Sequence, residues 1–119
     1  MKNFKTMRNG VLIVAIFFCT ISSSFANYSC QGKVTGVTIS PDGQLFAETI
    51  GSLSWSRLCS VSKLENNVPP EACRVIYNVL LTAQITNKDV GLSFNDSGNC
   101  SSHEAWEWLT GWYLGPSLK

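Results

Sequence analysis

Four cysteines limit what this chain can fold into more than any other feature. They are spread over residues 27–119: Cys30, Cys59, Cys73 and Cys100. In an oxidising compartment an even set of cysteines predicts two disulfides, which supplement the modest core of a small domain. The alternative is four free buried thiols. Zinc is disfavoured because it prefers closely spaced pairs such as Cys-x-x-Cys, and none of these cysteines has a partner at that spacing. We therefore expect no metal and no other cofactor.

Four cysteines allow three pairings, and we favour one of them. Cys59 with Cys73 would close a short loop, and Cys30 with Cys100 would close most of the domain. Chain entropy would make these crosslinks worth about 3 and about 4 to 5 kcal/mol if they are unstrained. The other two pairings stay open at this point.

The first 26 residues have the order of a secretory signal peptide. Three basic residues come first, then the apolar run 11–19, then the small residues that end at Ala26. This order predicts cleavage after Ala26. The apolar run is shorter than the roughly 20 residues that cross a bilayer, so an uncleaved anchor is the weaker interpretation. We expect residues 27–119 to form one periplasmic or secreted domain with no stable membrane insertion after cleavage.

Removal of the signal peptide changes the charge balance. Six Lys and Arg remain against eight Asp and Glu, a formal charge of −2. Nucleic-acid binding depends on clustered basic residues that replace counterions on phosphate, and no such cluster remains. A nucleic-acid partner is therefore disfavoured.

Hydrophobic alternation and turn residues predict four strands before the C-terminal segment. The first, residues 28–39, changes its apolar face at Gly36, where a one-residue bulge would let its two halves serve two sheets. The others are residues 44–50, residues 53–61 and residues 89–94. In residues 53–61, Leu, Trp, Cys and Val alternate with serines until Arg57 and Leu58 break the pattern, which predicts one buried and one wetted face.

One helix is predicted from Pro70 to near Thr86. Proline suits the first helical turn, and Asn87 suits a left-handed terminator. The polar stripe consists of Glu71, Arg74, Asn78 and Thr82. The apolar side, expected to face the core, consists of Ala72, Val75, Ile76, Val79, Leu80 and Ala83.

The C-terminal segment is ambiguous between helix and strand. We expect a helical turn or irregular segment, followed by a strand that ends before Pro116. The order of three strands, a helix and one or two strands predicts an α+β fold: a small, five-stranded, OB-like antiparallel β-barrel, or an open sheet with the helix between strands 3 and 4.

No residue set in the sequence supports catalysis, so we do not expect an enzyme. The single histidine, His103, lies in His-Glu-Ala-Trp-Glu, which has Glu107 where a metalloprotease helix has its second histidine. Ser101 and Ser102 adjoin His103, but neighbours in sequence are not a nucleophile and base positioned in space. A small hydrolase survives only as a minority alternative.

Aromatic residues are concentrated near the C-terminus. Four lie within eight residues: Trp106, Trp108, Trp112 and Tyr113. Exposed indoles could stack on sugar rings or anchor a protein partner, because they bring a large contact area at low entropic cost. The alternative is that they fill a small core. These four residues are our candidate ligand-binding set.

Several segments resemble small exported proteins of gammaproteobacteria that are uncharacterised as a group. The matching segments are spread over most of residues 27–119: Leu58 to Val61, Pro69 to Cys73, Ile76 and Tyr77, Leu80 to Ala83, Phe94 to Asp96, and Gly111 to Pro116. This resemblance implies no activity. A fainter similarity of layout, in the helix and the segment that starts at Cys59, is to the OB-fold B subunits of pentameric bacterial toxins, and it implies a fold only.

Two functions follow as hypotheses. The first is an exported, non-enzymatic binding module, monomeric or self-associating, that contacts a glycan or protein through the C-terminal aromatic residues. The second is a periplasmic inhibitor or immunity factor that would use the loops at 62–69 and 95–102.

Overall fold

The computed structural model describes residues 27–119, so the predicted signal peptide lies outside the described residues. Five strands and one helix follow in chain order: β1 Tyr28–Ile39, β2 Gln44–Ile50, β3 Leu53–Ser60, α1 Pro70–Thr86, β4 Asp89–Phe94 and β5 Trp112–Leu118. The predicted order of three strands, a helix and one or two strands is confirmed, and two strands follow the helix.

The five strands form one antiparallel sheet in the order β3-β2-β1-β4-β5. The long strand β1 serves both halves of it. Up to Lys33 it pairs with β4, and from Val34 onward it pairs with β2. The segment that leads into β5 also touches β3, through a parallel bridge between Arg57 and Trp108, and this joins the two ends of the sheet. The predicted five-stranded, OB-like architecture is confirmed, with its helix between β3 and β4.

Strand β1 changes its buried face at Gly36, as predicted, but without a bulge. The pairing of β1 with β2 keeps one register from Val34 to Ile39, so no residue is inserted. Gly36 instead has a left-handed φ of 60°. A Cβ at this position would collide with the Cβ of Glu48. Glycine is required here both by the backbone angle and by the close approach of β2.

A bulge lies in strand β3, where the sequence did not predict one. Leu45 pairs with Cys59 and Phe46 with Arg57, so Leu58 is the extra residue. Trp55 also has a left-handed φ of 46°. Because of these two irregularities, the predicted alternation is wrong along much of β3: Ser56 and Ser60 are buried, whereas Trp55 is only half-buried.

Helix α1 begins at Pro70 and ends at Thr86, and Asn87 caps it with a φ of 58°, as predicted. Its polar stripe is exposed, as predicted. Its buried face is wrong in part, because Ala72 is exposed and Val75 is 60% exposed. The buried stripe is instead Cys73, Leu80 and Ala83. The disulfide at Cys73 fixes which side of the helix faces β3.

Both favoured disulfides are confirmed. Cys30 and Cys100 have Cα atoms 5.7 Å apart, and Cys59 and Cys73 have Cα atoms 5.8 Å apart. The first pair joins β1 to the loop before β5, and the second joins β3 to α1. Around them lies a single cluster of buried side chains; its largest members are Phe94, Leu45, Ile50, Leu53, Leu58, Leu80 and Leu92.

The C-terminal segment is irregular up to Gly111 and then enters β5, as predicted. The prediction that the strand ends before Pro116 is wrong, because β5 continues to Leu118. Pro116 lies where the register between β4 and β5 shifts, between the pairs Ser93 with Leu114 and Gly91 with Ser117. Proline is tolerated at such a shift in an outer strand because no ladder hydrogen bond from its nitrogen is needed there.

Within residues 27–119, no helix has the length and apolar character needed to span a membrane.

Candidate functional site

The four aromatic residues singled out in the sequence occupy two places. Trp106 and Trp108 lie against the β2–β3 hairpin. Trp112 and Tyr113 open strand β5 and line a cleft beside α1. Trp112 is half-buried and packs against the core, whereas Tyr113 is 54% exposed. The predicted set therefore contributes to two separate surface features.

Trp106 is the centre of an aromatic cluster on the β2–β3 hairpin. Its ring stacks on Trp55, with centroids 4.6 Å apart and planes 13° apart. Phe46 lies 5.7 Å from Trp106 in a tilted arrangement. Despite these two neighbours, Trp106 remains 54% exposed. We call the set Phe46, Trp55, Arg57, Trp106 and Trp108 the aromatic platform.

Arg57 joins Trp106 and Trp108 of the platform. Its Nε and one terminal nitrogen donate hydrogen bonds to the carbonyl oxygen of Trp106, at 3.2 and 2.9 Å. Its guanidinium lies 4.5 Å from the ring centroid of Trp108, a cation–π contact. The planar fork of arginine allows both interactions at once, which a lysine ammonium could not reproduce.

Backbone hydrogen bonds fix the segment that carries Trp106 and Trp108 to strand β3. The amide of Trp106 donates to the carbonyl of Trp55 at 2.9 Å, and the amide of Leu109 donates to Arg57 at 2.8 Å. Trp55 and Trp106 both have left-handed φ angles, 46° and 72°. Such angles are uncommon for bulky residues and cost on the order of 1–3 kcal/mol each. Strained residues of this kind cluster at functional sites, which makes the platform a candidate site.

A second cluster anchors the loop that carries Trp106 and Trp108. Tyr28 donates a hydrogen bond to a carboxylate oxygen of Asp96 at 2.7 Å. The Nε2 atom of His103 lies 2.8 Å from the same phenol oxygen. An ionised carboxylate only accepts, so the phenol proton goes to Asp96 and His103 donates to Tyr28. Phe94 lies beneath both rings, with centroids 4.9 Å from Tyr28 and 4.6 Å from His103.

The electrostatics of this cluster fix its protonation states around neutral pH. Burial, and then the hydrogen bond and charge of Asp96, raise the pKa of Tyr28 far above its ordinary range. The hydrogen bond from Tyr28, and then one from the amide of Gly98, lower the pKa of Asp96. The phenol thus stays protonated and the carboxylate ionised around neutral pH, which keeps the loop in place.

The hydroxyl of Ser102, next to His103, is engaged elsewhere. The Ser102 hydroxyl donates to the carbonyl of Asn99 at 2.8 Å and accepts from the Asn99 amide at 3.0 Å. The imidazole of His103 bonds to Tyr28, so the described residues do not pair it with Ser102. Within residues 27–119, no group of three or more His, Cys, Asp and Glu is arranged to hold a metal ion.

Sequence reasoning missed three members of the platform: Phe46, Trp55 and Arg57. Strand parity assigned Trp55 to the core, and Phe46 carried no separate signal. The only usable signal was the broken alternation at Arg57 and Leu58, which marks the bulge that brings Arg57 opposite Phe46.

Comparison with protein-family models, with curated proteins and with solved structures finds no match to this chain.

Proposed function

We propose that this protein is an exported, non-enzymatic binding module that works in the periplasm or outside the cell. Its recognition surface is the aromatic platform, and its partner is a glycan or another protein. The observation that carries the proposal is Trp106: it is stacked on Trp55 in a strained backbone conformation, yet 54% of its surface is open to solvent. The two disulfides fit a non-cytoplasmic protein.

The platform has the properties of a binding surface more than those of a core. A tryptophan that only filled the interior would be buried in a relaxed conformation. Trp106 is instead held at the surface by its own backbone, by Trp55 and by Arg57. Rigid, partly exposed Trp and Arg side chains supply most of the binding energy in many interfaces. A pre-organised aromatic face also suits the flat apolar side of a sugar ring.

One observation favours the alternative of a periplasmic inhibitor or immunity factor. Leu64 is 66% exposed in the loop at 62–69. An apolar side chain at a loop tip can insert into a pocket of a protein partner. In that case the Leu64 loop, and not the platform, would make the contact.

The test compares binding by Trp106→Ala with binding by the unchanged protein, both recovered after export of the full chain. Binding is measured on a glycan array and by capture of protein partners from the periplasmic fraction. Trp106→Ala should lower affinity for the bound partner at least tenfold, a loss of about 1.4 kcal/mol, while changing stability little. Ile85→Ala is the matched control, because Ile85 is an exposed apolar residue on α1, outside the platform.

The alternative is tested in the same assay with Leu64→Ala. Loss of protein capture in Leu64→Ala, with full binding retained by Trp106→Ala, would overturn the platform proposal and support the inhibitor. Trp112→Ala should destabilise the domain, because this ring packs against the core.

A further inference from the structure

A cleft of about 400 Å³ lies apart from the aromatic platform. One wall is the loop from Asn66 to Pro69 together with the first turns of α1. The other wall is the segment from Leu109 to Tyr113. This volume falls in the range of small-molecule sites.

The walls of the cleft are held at a fixed separation. The side-chain amide nitrogen of Asn66 donates to the carbonyl of Leu58 at 2.9 Å and to the carbonyl of Leu109 at 2.8 Å. Asn66 and Asn67 both adopt left-handed φ angles, 55° and 60°, which asparagine tolerates well. The cleft is therefore built before any ligand arrives, and binding would cost little reorganisation.

The lining of the cleft is amphipathic and uncharged. Val68, Ile76 and Trp112 contribute apolar surface, while Asn67, Thr110 and Tyr113 bring one amide and two hydroxyls. The residues that line the cleft all lie within residues 27–119, and none of them carries a charge. A phosphate or carboxylate ligand would lose its hydration here without gaining a cationic partner. A wholly apolar ligand would leave the amide and hydroxyls without partners.

We propose that this cleft binds one ring of a neutral saccharide. The C–H face of a pyranose would pack on the aromatic surface of Trp112 and Tyr113, and its hydroxyls would exchange hydrogen bonds with Asn67 and Thr110. This site is distinct from the aromatic platform, and its ligand class is an uncharged sugar. The proposal stands whether the platform contacts a glycan or a protein.

The test uses the exported protein, ¹⁵N-labelled, and defined probes. The neutral probes are the methyl glycosides of glucose, galactose, mannose and N-acetylglucosamine; the charged probes are glucose 6-phosphate and N-acetylneuraminic acid. At least one neutral probe should give saturable amide shifts at Asn67, Ala72 and Gly111, with a Kd of about 1 mM, as expected for about 4 kcal/mol from a single ring. The charged probes should bind at least tenfold more weakly.

Variants separate the cleft from the rest of the surface. Ala72→Phe fills the cleft from an exposed helix position and should raise the Kd at least tenfold, whereas Thr82→Phe, on the polar stripe of the same helix, should not. Asn67→Gly removes the amide yet keeps the left-handed backbone, and should raise the Kd severalfold even if Ala72→Phe folds poorly.

The outcomes distinguish this inference from the proposed function. Cleft shifts that survive Trp106→Ala would establish a site independent of the platform. Absence of saturable shifts with every neutral probe, or equal binding of the charged probes, would overturn the cleft proposal, whatever the platform binds. Shifts confined to Phe46, Trp55 and Trp106 would also overturn it, and would place the sugar on the platform.

Discussion

At the residue scale, the loop that carries Trp106 and Trp108 is held in place by a few polar contacts. The phenol of Tyr28 accepts from His103 and donates to Asp96, while its ring stacks on Phe94. In the sequence, His103 stood out only as part of an incomplete metalloprotease motif. Its role as an anchor depends on a tyrosine 75 positions earlier in the chain, so no local pattern could have predicted it.

Tyr28→Phe tests this anchor. The variant keeps the stack on Phe94 but leaves the side chains of Asp96 and His103 without their shared partner. We expect the free energy of unfolding to fall by about 1–3 kcal/mol, measured by urea titration at pH 7. Tyr113→Phe is the control, because it removes the hydroxyl of an exposed tyrosine, and it should change stability by less than about 0.5 kcal/mol. Equal stabilities of the two variants would contradict the anchor.

Tyr28→Phe also tests how the stability of the domain depends on pH. The pKa of Asp96 is lowered from 3.8 in the folded state, so its contribution to stability is present above pH 3.8 and is lost as the pH falls toward the folded value. The pKa of Tyr28 is raised from 10.0, so its contribution is complete below pH 10.0 and is lost as the pH rises further. In Tyr28→Phe, the free energy of unfolding, measured by urea titration across the pH range, should no longer fall at alkaline pH because of this phenol. Its fall at acid pH should become smaller but not vanish, because the Gly98 amide still lowers the pKa of Asp96.

At the element scale, local signals were sufficient for the bounds of α1, β2 and β4. Proline at the start of α1 and asparagine at its end act through their own backbone preferences, so the sequence predicted both ends correctly. The buried face of α1 and the alternation of β3 depend on the Cys59–Cys73 disulfide and on a bulge at Leu58. Both are tertiary features, and strand or helix periodicity does not encode them.

Gly36→Ala tests how β1 turns from one half of the sheet to the other. Alanine would have to adopt a φ of 60° and would place its Cβ against Glu48. We expect a loss of about 1–3 kcal/mol in the free energy of unfolding. Gly91→Ala in β4 is the matched control: its Cβ would meet mainly the flexible end of the Lys119 side chain. If both variants lose the same stability, the left-handed angle at Gly36 is not what shapes β1.

At the scale of the whole molecule, the sequence identified part of the candidate site. It predicted the aromatic segment, and two of the four residues, Trp106 and Trp108, lie on the platform. It missed Phe46, Trp55 and Arg57, since these belong to a hairpin some fifty residues away in the chain. Contacts between segments so distant in sequence are set by the closing of the sheet, which brings β3 beside the segment that leads into β5.

The two disulfides should contribute differently to stability and to the platform. Cys59→Ala with Cys73→Ala opens a loop with a sequence separation of 14, and Cys30→Ala with Cys100→Ala opens one with a separation of 70. Chain entropy predicts losses of about 3 and about 4 to 5 kcal/mol, measurable by guanidinium unfolding. Only the second pair should also free the loop at 95–111 and reduce the near-ultraviolet circular dichroism of the stacked Trp55 and Trp106, even while the domain stays folded. An unchanged tryptophan signal in that folded variant would mean that Tyr28, Asp96 and His103 hold the loop without the disulfide.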